Sequence, residues 1–330
     1  MGSYFEVRIP AATPGGFDLV NRSLDVVDDL EARLTVYRDD SEVARLNATA
    51  HLGPVAVSAE LFGLLETAVA IGRATGGAYD VASGALSLAW GFTRGPRRVP
   101  TPEELADALD RTGQRHLALD PERRTVAFDR TGVVINLGSI GKGFAVDRAA
   151  DAIRSHWWPT SALIHGGRSS IYALGSPPGR FAGRWPVALH DPTDPERSLG
   201  TIRIRERGMA TSGATYQRFE QGDRTYGHLI DPRTGEPPEF GPASVTVLAP
   251  TAAEADALST AFSLAGFDEA NRFAADRPDI GAIFVELDPD SGMPATWTIN
   301  LSDSDFTPTP PDSARPQKFR PLTRVDDRPI

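Results

Sequence analysis

The chain has 330 residues, of which 40% are hydrophobic and 24% charged, and it contains no cysteine. These values predict a globular protein with a large core, and they exclude disulfides, thiolate nucleophiles and cysteine metal sites. The formal net charge of −10 comes without a long basic run, and no apolar stretch approaches the ~20 residues of a membrane-spanning helix. We therefore expect neither nucleic acid among its partners nor a membrane span. Because the chain shows no signal peptide, we expect a cytoplasmic protein.

The first half of the chain is predicted to contain amphipathic helices and short strands. The opening "MGSYFEVRIP" is typical of a strand, and apolar residues at helical spacing predict a helix over residues 17–34. Ser58 and Thr101 are typical N-caps, so a helix is predicted to begin after each of them. The earlier of these two helices ends at the pair of glycines in "TGGAYD". The segments "HLALD" and "TVAFDR" predict a hairpin, and "VVINLG" predicts a buried strand.

The second half is predicted to be mostly short strands. A helix over "FAVDRAADAIRS" precedes strand-like segments, which are "SALIHGG", "SSIYALG", "WPVALHD", "GTIRIRE", "YGHLID" and "ASVTVLA". A helix over about residues 252–265 and the strand "IGAIFVEL" follow. Helices and strands occur in separate runs, which favours an α+β fold with mostly antiparallel sheet over a doubly wound parallel fold. Residues 303–330, rich in proline and charge, predict an extended or disordered tail after one domain over residues 1–302.

Two segments carry residue types that suit phosphate chemistry. "NLGSIGKGFAVD" places glycines and Lys142 where a strand passes into a helix, a geometry that directs backbone N–H groups at an anion. It is not a Walker motif, because Gly143 stands where Ser or Thr is required, and a plain strand-to-helix turn is the alternative. In "AAEADALSTAF", Asp256 and Thr260 share one helix face. Their oxygens suit Mg²⁺, and an i, i+4 hydrogen bond is the alternative.

The segment "HLIDPRTGEP" places a histidine and a carboxylate in one turn. A surface turn needs only the proline and glycine, so His228 and Asp231 call for a further explanation. An imidazole with a near-neutral pKa suits a general base, and a neighbouring carboxylate suits the group that orients it. The alternative is a strand-end histidine bonded to a backbone carbonyl.

Taken in order and spacing, eight segments resemble the FAD:protein FMN transferases, the ApbE-like family. They are "MGSYFEV", "VYRDDSEVARLN", "GGAYDVASGALSLAWGF", "INLGSIGKGFAVDRAA", "ALIHGG", "MATSG", "YGHLIDPRTGEP" and "SVTVLAPTAAEADALST". The resemblance covers about residues 1–285. It implies a T-fold-like, flavin-binding α+β architecture. It also implies an enzyme that binds FAD with Mg²⁺ and moves FMN to a Thr or Ser hydroxyl of an acceptor protein, releasing AMP.

The resemblance also implies roles for single residues. Metal ligands fall on Asp256, Thr260 and the backbone carbonyl of Ser139. The implied flavin contacts, with Tyr37 as the stacking ring, are Met1, Tyr37, Ala78, Tyr79, Asp80, Asn136, Lys142 and Ile230. For the transfer step we predict His228 as the base for the acceptor hydroxyl and Asp231 as its orienting group. Lys142 is predicted to help neutralise the pyrophosphate.

Some features depart from the family pattern. Asn136 and Arg168 stand where Asp is common, and family members are often exported lipoproteins, whereas this chain shows neither a signal peptide nor a lipid-acceptor cysteine. Two other functions remain open, namely an FAD pyrophosphatase that yields FMN and AMP, and a non-catalytic flavin carrier. The segment "SGAT" resembles the end of the family's acceptor motif, Asp-Gly-x-Ser/Thr-Gly-Ala-Ser/Thr. Met209 stands where that motif has Asp, so Thr215 is predicted to stay unmodified.

Overall fold

The computed structural model describes residues 4–156, 161–167, 169–177, 183–213, 218–222, 224–239 and 241–310. The α-helices are α1 Gly16–Leu34, α2 Glu42–Thr49, α3 Ala59–Ala74, α4 Gly84–Ala89, α5 Pro102–Asp110, α6 Gly141–His156, α7 Ala252–Ala265 and α8 Phe267–Ala275. The strands are β1 Phe5–Arg8, β2 Val55–Ala56, β3 Leu117–Asp120, β4 Thr125–Phe128, β5 Ala162–Gly166, β6 Ser170–Leu174, β7 Trp185–His190, β8 Ser198–Ile204, β9 Arg207–Gly213, β10 Arg218–Gln221, β11 Arg224–Gly227, β12 Ser244–Ala249, β13 Gly281–Leu287, β14 Pro294–Ile299 and β15 Phe306–Pro308. Met1, Arg168 and Thr215 lie outside the described residues.

The strands of the described chain form antiparallel sheets, which confirms the predicted α+β class. Seven strands make the main sheet in the order β1-β5-β6-β9-β12-β13-β14. Two three-stranded sheets have the orders β15-β8-β7 and β2-β4-β3, and β10 pairs with β11 as a hairpin. Each pairing in these sheets is antiparallel.

The main sheet separates two apolar layers. Because successive side chains of a strand point to opposite faces, Val245 and Val247 of β12 pack toward the helices, while Leu248 packs toward the sheet β15-β8-β7. Helices α6 and α7 lie on the first face, with α1 against α6. This arrangement brings the first turns of α6 and α7 together beside the start of β9.

Helices with clear N-terminal signals form where the sequence predicts them. The Ser58 hydroxyl accepts the backbone N–H of Leu61 at 3.2 Å as the N-cap of α3. Thr101 and Glu104 form a complete capping box at α5. The helices predicted over residues 17–34 and 252–265 appear as α1 and α7. Local capping and periodicity are sufficient to specify these elements.

The prediction of a buried strand at "VVINLG" is wrong. Ile135 is buried, but its backbone N–H and C=O both bond to the side-chain amide of Asn47, at 2.8 and 3.0 Å. The carbonyl of Val134 accepts the N–H of Gly84, and the Asn136 N–H donates to Val81. These bonds satisfy the buried backbone without a sheet partner. The segment is apolar like a strand, yet its partners are side chains and loop backbone.

Part of the predicted C-terminal tail is ordered on the body of the protein. Phe306 of β15 is 7% exposed and lies in the core between the main sheet and the sheet β15-β8-β7. Residues 303–310 are therefore extended in part, as predicted, but as a strand paired with β8. Residues 311–330 lie outside the described residues, and the boundary at 302 stays a prediction. Within the described chain, no helix is both long and apolar enough to cross a membrane.

Candidate active site

A cleft of about 1070 Å³ opens where the C-terminal end of α1, the first turn of α6, the end of β9 and α7 meet. Eight of the residues singled out from the sequence line it, and they are Tyr37, Asn136, Ser139, Lys142, His228, Ile230, Asp256 and Thr260. Segments that are far apart in the sequence thus contribute to one site. Typical small-molecule pockets measure ~300–1,000 Å³, so this cleft has room for a dinucleotide.

Asp256 is the charged centre of the inner wall. Its side chain is 4% exposed, and its Oδ2 accepts the backbone N–H of Gly143 at 3.1 Å. The ammonium of Lys142 lies 3.5 Å from the same oxygen and also donates to the carbonyl of Gly138 at 3.2 Å. A buried carboxylate requires this kind of compensation, because removal from water disfavours its charge. The two predicted phosphate-chemistry segments therefore meet at this carboxylate.

The close approach of α6 and β9 to α7 depends on two glycines. A Cβ at Gly143 would lie 2.1 Å from the carbonyl oxygen of Ala252, and a Cβ at Gly208 would lie 2.2 Å from the nitrogen of Ala252. No side chain fits at either position without moving the backbone. The same end of α7 is held by the buried carboxylate of Asp147, which accepts the N–H groups of Ala252 and Ala253 at 2.7 and 2.9 Å. Burial raises the pKa of Asp147 to about 7.

A cluster of hydroxyl groups lies next to Asp256. The Ser212 hydroxyl on β9 is 2.8 Å from that of Ser259 and 3.2 Å from that of Thr260. Thr260 also approaches the backbone carbonyl of Asp256, at 3.4 Å, so the i, i+4 bond expected as the alternative exists but involves the main chain. Ser212 and Ser259 were not singled out from the sequence. The sequence offers one hint, which is that Ser259 directly precedes the predicted metal ligand Thr260.

The oxygen atoms at this wall fit a hard divalent cation. Among the described residues, no N–H group donates to Oδ1 of Asp256. The carbonyl of Ser139 accepts no backbone N–H from their turns and loops. The N–H of Gly143, which would bond to that carbonyl in a longer helix, goes to Asp256 instead. The described chain has no cluster of three His, Cys, Asp or Glu. A cation here would rest on one carboxylate, a carbonyl and a hydroxyl, a set that suits Mg²⁺ with phosphate and water completing its shell.

Three predicted flavin contacts lie behind the cleft wall. Ala78 and Tyr79 are 0% and 1% exposed, and Asp80 accepts the N–H groups of Ala82 and Gln114, each at 2.8 Å. Burial raises the pKa of Asp80, and burial together with the nearby Asp256 carboxylate raises the pKa of Tyr79. Direct contact of this trio with a flavin stays a prediction. In the structure they support the wall on which Asp256 lies.

Asn136 has a clear structural role at the start of the glycine loop. Its side-chain oxygen accepts the N–H of Gly138 at 2.9 Å, which turns the chain toward Ser139 and Lys142. An aspartate would accept the same N–H, so asparagine at this position keeps the turn without adding a negative charge to the cleft.

The outer rim carries Tyr37, whose ring is exposed. The residue is 61% exposed, and its N–H donates to the hydroxyl of Thr35 at 3.2 Å. Across the opening, Arg94 donates from Nη2 to the carbonyl of Val36 at 2.9 Å and lies 3.5 Å from Asp39. The arginine therefore joins the loop that bears Tyr37 to the opposite rim.

His228 lines the same cleft and lies directly after β11. Its ring meets that of Phe92 edge to face at 6.4 Å between centroids. Asp231, predicted to orient it, accepts hydrogen bonds from Arg233, with Nη2 at 2.6 Å and the backbone N–H at 2.8 Å. Asp231 is thus engaged with Arg233, and its action on His228 stays a prediction. Trp90 anchors the turn by donating to the carbonyl of Gly235 at 2.9 Å.

The sequence matches one known family over most of its length. A sequence profile described as the ApbE family matches residues 1–284. A FAD:protein FMN transferase of Treponema pallidum is 32% identical over an alignment of 302 residues, and the alignment covers 86% of this chain and 82% of that protein. One from Haemophilus influenzae is 33% identical over 276 residues, 81% of this chain and 78% of its own length.

Solved structures show the same fold. The crystal structure of the ApbE protein of Thermotoga maritima has a TM-score of 0.76 and 29% identity, over 84% of this chain and 90% of that one. The flavin transferase ApbE of Vibrio cholerae has a TM-score of 0.77 and 29% identity, over 88% and 92% of the two chains.

Proposed function

Because the chain belongs to the ApbE family, we propose that it is an FAD:protein FMN transferase. It transfers FMN from FAD to a Thr or Ser hydroxyl of an acceptor protein and releases AMP. The observation that carries this proposal is that Lys142 and Asp256 line the same cleft as His228. Lys142 and Asp256 offer charge for a pyrophosphate, and His228 offers an imidazole that takes the proton of an incoming hydroxyl.

The inner wall suits the pyrophosphate. Ser139, Asp256 and Thr260 would hold Mg²⁺, which when bound neutralises charge on the phosphate oxygens. Lys142 adds a positive charge 3.5 Å from Asp256. Phosphoryl transfer depends mainly on this neutralisation and on positioning.

The transfer step exchanges the phosphoanhydride bond of FAD for a phosphate ester bond to the acceptor. The acceptor oxygen forms a bond to the phosphorus of the FMN half of FAD, and the bond from that phosphorus to the bridging oxygen breaks. AMP leaves with the bridging oxygen, and His228 takes the hydroxyl proton. Tyr37 at the rim stacks on the isoalloxazine and holds the flavin while the two halves separate.

The two alternative functions use parts of the same cleft. Attack by water in place of the hydroxyl gives an FAD pyrophosphatase, and a flavin carrier needs Tyr37 but not Asp256. The buried carboxylate of Asp256, paired with the partly exposed Lys142, argues against a carrier, because a buried charge is costly to retain without a use.

One incubation separates these functions. The protein is mixed with FAD, Mg²⁺ and a fusion protein that carries the family's acceptor motif, and in-gel flavin fluorescence and AMP release are followed. Transfer gives a fluorescent acceptor and AMP, hydrolysis gives AMP alone, and a carrier gives neither. We expect His228→Gln to lower the transfer rate by about 10²–10⁴-fold with FAD affinity retained. Full activity in that variant excludes His228 as the base.

A further inference from the structure

We propose that an arginine–aromatic patch beside His228, formed by Phe92, Arg97, Phe219, Arg224 and Tyr226, docks a carboxylate-rich segment of the acceptor protein. The inference rests on the proposed function, because it names the chemistry of the partner that brings the hydroxyl to the cleft.

The patch is held rigidly against the cleft by stacked rings. Phe219 and Tyr226 are opposite each other in the β10–β11 hairpin and stack at 5.3 Å between centroids. Trp90 packs against Tyr226 at 5.4 Å, and Phe92 packs against Phe219 at 5.8 Å. Since Phe92 also meets His228 at 6.4 Å, the aromatic rings run continuously from the hairpin to the predicted base.

Two hydrogen bonds join the hairpin to the loop that carries Phe92 and Arg97. Arg97 donates from Nη1 to the carbonyl of Arg218 at 3.2 Å, and the N–H of Val99 donates to the side-chain oxygen of Gln221 at 3.1 Å. The loop and the hairpin therefore present one continuous surface.

The charge of the patch is uncompensated within the described chain. The guanidinium of Arg97 lies over the Phe92 ring at 5.8 Å, and that of Arg224 lies over the Tyr226 ring at 5.4 Å. Among described residues, no carboxylate comes within 4.0 Å of either guanidinium. In the same loop, Arg94 and Arg98 are paired with Asp39 and Glu104.

The position of His228 determines what covers this surface. An acceptor hydroxyl that reaches the imidazole brings its flanking residues over the adjoining rim, which is the arginine–aromatic patch. A guanidinium that lies over a ring can bind a carboxylate through its remaining N–H groups. In Arg97 these exclude the Nη1–H that donates to the carbonyl of Arg218. Because the chain carries a net charge of −10, an acidic acceptor would be repelled elsewhere, and two exposed arginines at the entrance give it one favourable approach.

The test compares two acceptor fusions that share the family motif and differ only in four flanking residues, all Glu in one and all Lys in the other. We expect KM for the Glu-flanked fusion to be about tenfold lower at low salt, with equal kcat, and the difference to shrink as salt is raised. The double variant Arg97→Glu, Arg224→Glu should abolish or reverse the preference. Arg123→Glu, an exposed arginine on the β3–β4 turn, is the matched control and should keep it.

Further measurements separate a loss of docking from a loss of folding or of FAD binding. FAD affinity and the circular dichroism spectrum are measured for each variant, and the milder double variant Arg97→Gln, Arg224→Gln replaces the first if folding is lost. Equal KM values for the two fusions, or a preference that survives charge reversal, overturn the proposal. Absence of labelling with both fusions counts against the proposed function. Binding of fluorescein-labelled Glu- and Lys-flanked peptides, read by anisotropy, then still tests the docking surface.

Discussion

The backbone N–H of Gly143 donates to Oδ2 of Asp256 at 3.1 Å, which joins the first turn of α6 to one face of α7. Among the described residues, this bond leaves Oδ1 without an N–H donor, and it withdraws a helical donor from the carbonyl of Ser139. If both oxygens bind the proposed Mg²⁺, Asp256 should respond to substitution in a defined way.

Replacing Asp256 should remove metal-dependent turnover. Asp256→Asn keeps an acceptor for the N–H of Gly143 but loses the charge, and we expect AMP release to fall by roughly 10²-fold or more. Asp256→Ala should abolish Mg²⁺-dependent turnover and also cost some stability, because it leaves that buried N–H without a partner. Rates are measured across a Mg²⁺ titration. Glu254→Gln on the same helix is the control, and activity in the Asp256 variants that resists EDTA contradicts the metal assignment.

The exposed ring of Tyr37 should contribute to flavin binding. Loss of stacking in Tyr37→Ala should weaken FAD binding by about 0.5–1.5 kcal/mol, and Tyr37→Phe should retain most of the affinity because it keeps the ring. Quenching of flavin fluorescence gives the dissociation constants. An unchanged value for Tyr37→Ala means that the flavin stacks elsewhere.

Arg94 should act through the position of Tyr37. Arg94→Ala removes the bond to the Val36 carbonyl, so the loop bearing Tyr37 loses its link to the opposite rim. Because this contact is exposed, we expect only a rise of about two- to fivefold in the KM for FAD, with kcat unchanged. Arg98→Ala, from the same loop, is the control. A fall in kcat would instead indicate a direct part in the transfer.

Ser212 should set the orientation of the Thr260 hydroxyl. Ser212→Ala removes the group that lies between Ser259 and Thr260, and we expect the Mg²⁺ concentration for half-maximal activity to rise about tenfold. Ser263→Ala, one turn further along α7, should leave that concentration unchanged. Equal Mg²⁺ dependence in both variants and the wild type would show that Thr260 needs no such support.

The buried Asp147 should make stability depend on pH. Its folded pKa is raised to about 7 from an unfolded value near 4, so the folded state binds the proton more tightly. The stabilisation this provides is complete below about pH 4 and is lost as pH rises to about 7. Asp147→Asn keeps one acceptor for the start of α7 and removes the titration. The melting temperature of the wild type relative to this variant should therefore fall between about pH 4 and pH 7. A constant difference would mean that the bonds from Ala252 and Ala253 hold the carboxylate charged throughout.

Local chemistry made part of the structure predictable. The caps at Ser58 and Thr101, and the spacing of Asp256 and Thr260, depend on residues within one turn of each other. The segment at Ile135 was misassigned because Asn47, which satisfies its backbone, lies 88 positions away in sequence. No local pattern encodes such a partner.

The same limit applies to the site. The segments holding Lys142 and Asp256 were each identified, but the bond that brings them together spans 113 positions. Ser212 on β9 and Ser259 on α7, 47 positions apart, were not predicted as site residues because no local pattern links a serine in a strand to one in a helix. The resemblance to a known family assigned Lys142 and Asp256 to one site, which periodicity and spacing alone did not.

The direct backbone contact of Gly143 and Gly208 with Ala252 has a thermodynamic consequence. Since no side chain separates these three segments, α6, β9 and α7 cannot slide past one another without opening the core, and the inner wall of the cleft keeps one geometry. The entropy of arranging Lys142 and Asp256 is therefore lost once, when the chain folds. A ligand that binds this wall meets a preorganised surface, so the part of its association free energy lost to ordering the protein comes mainly from the exposed outer rim at Tyr37.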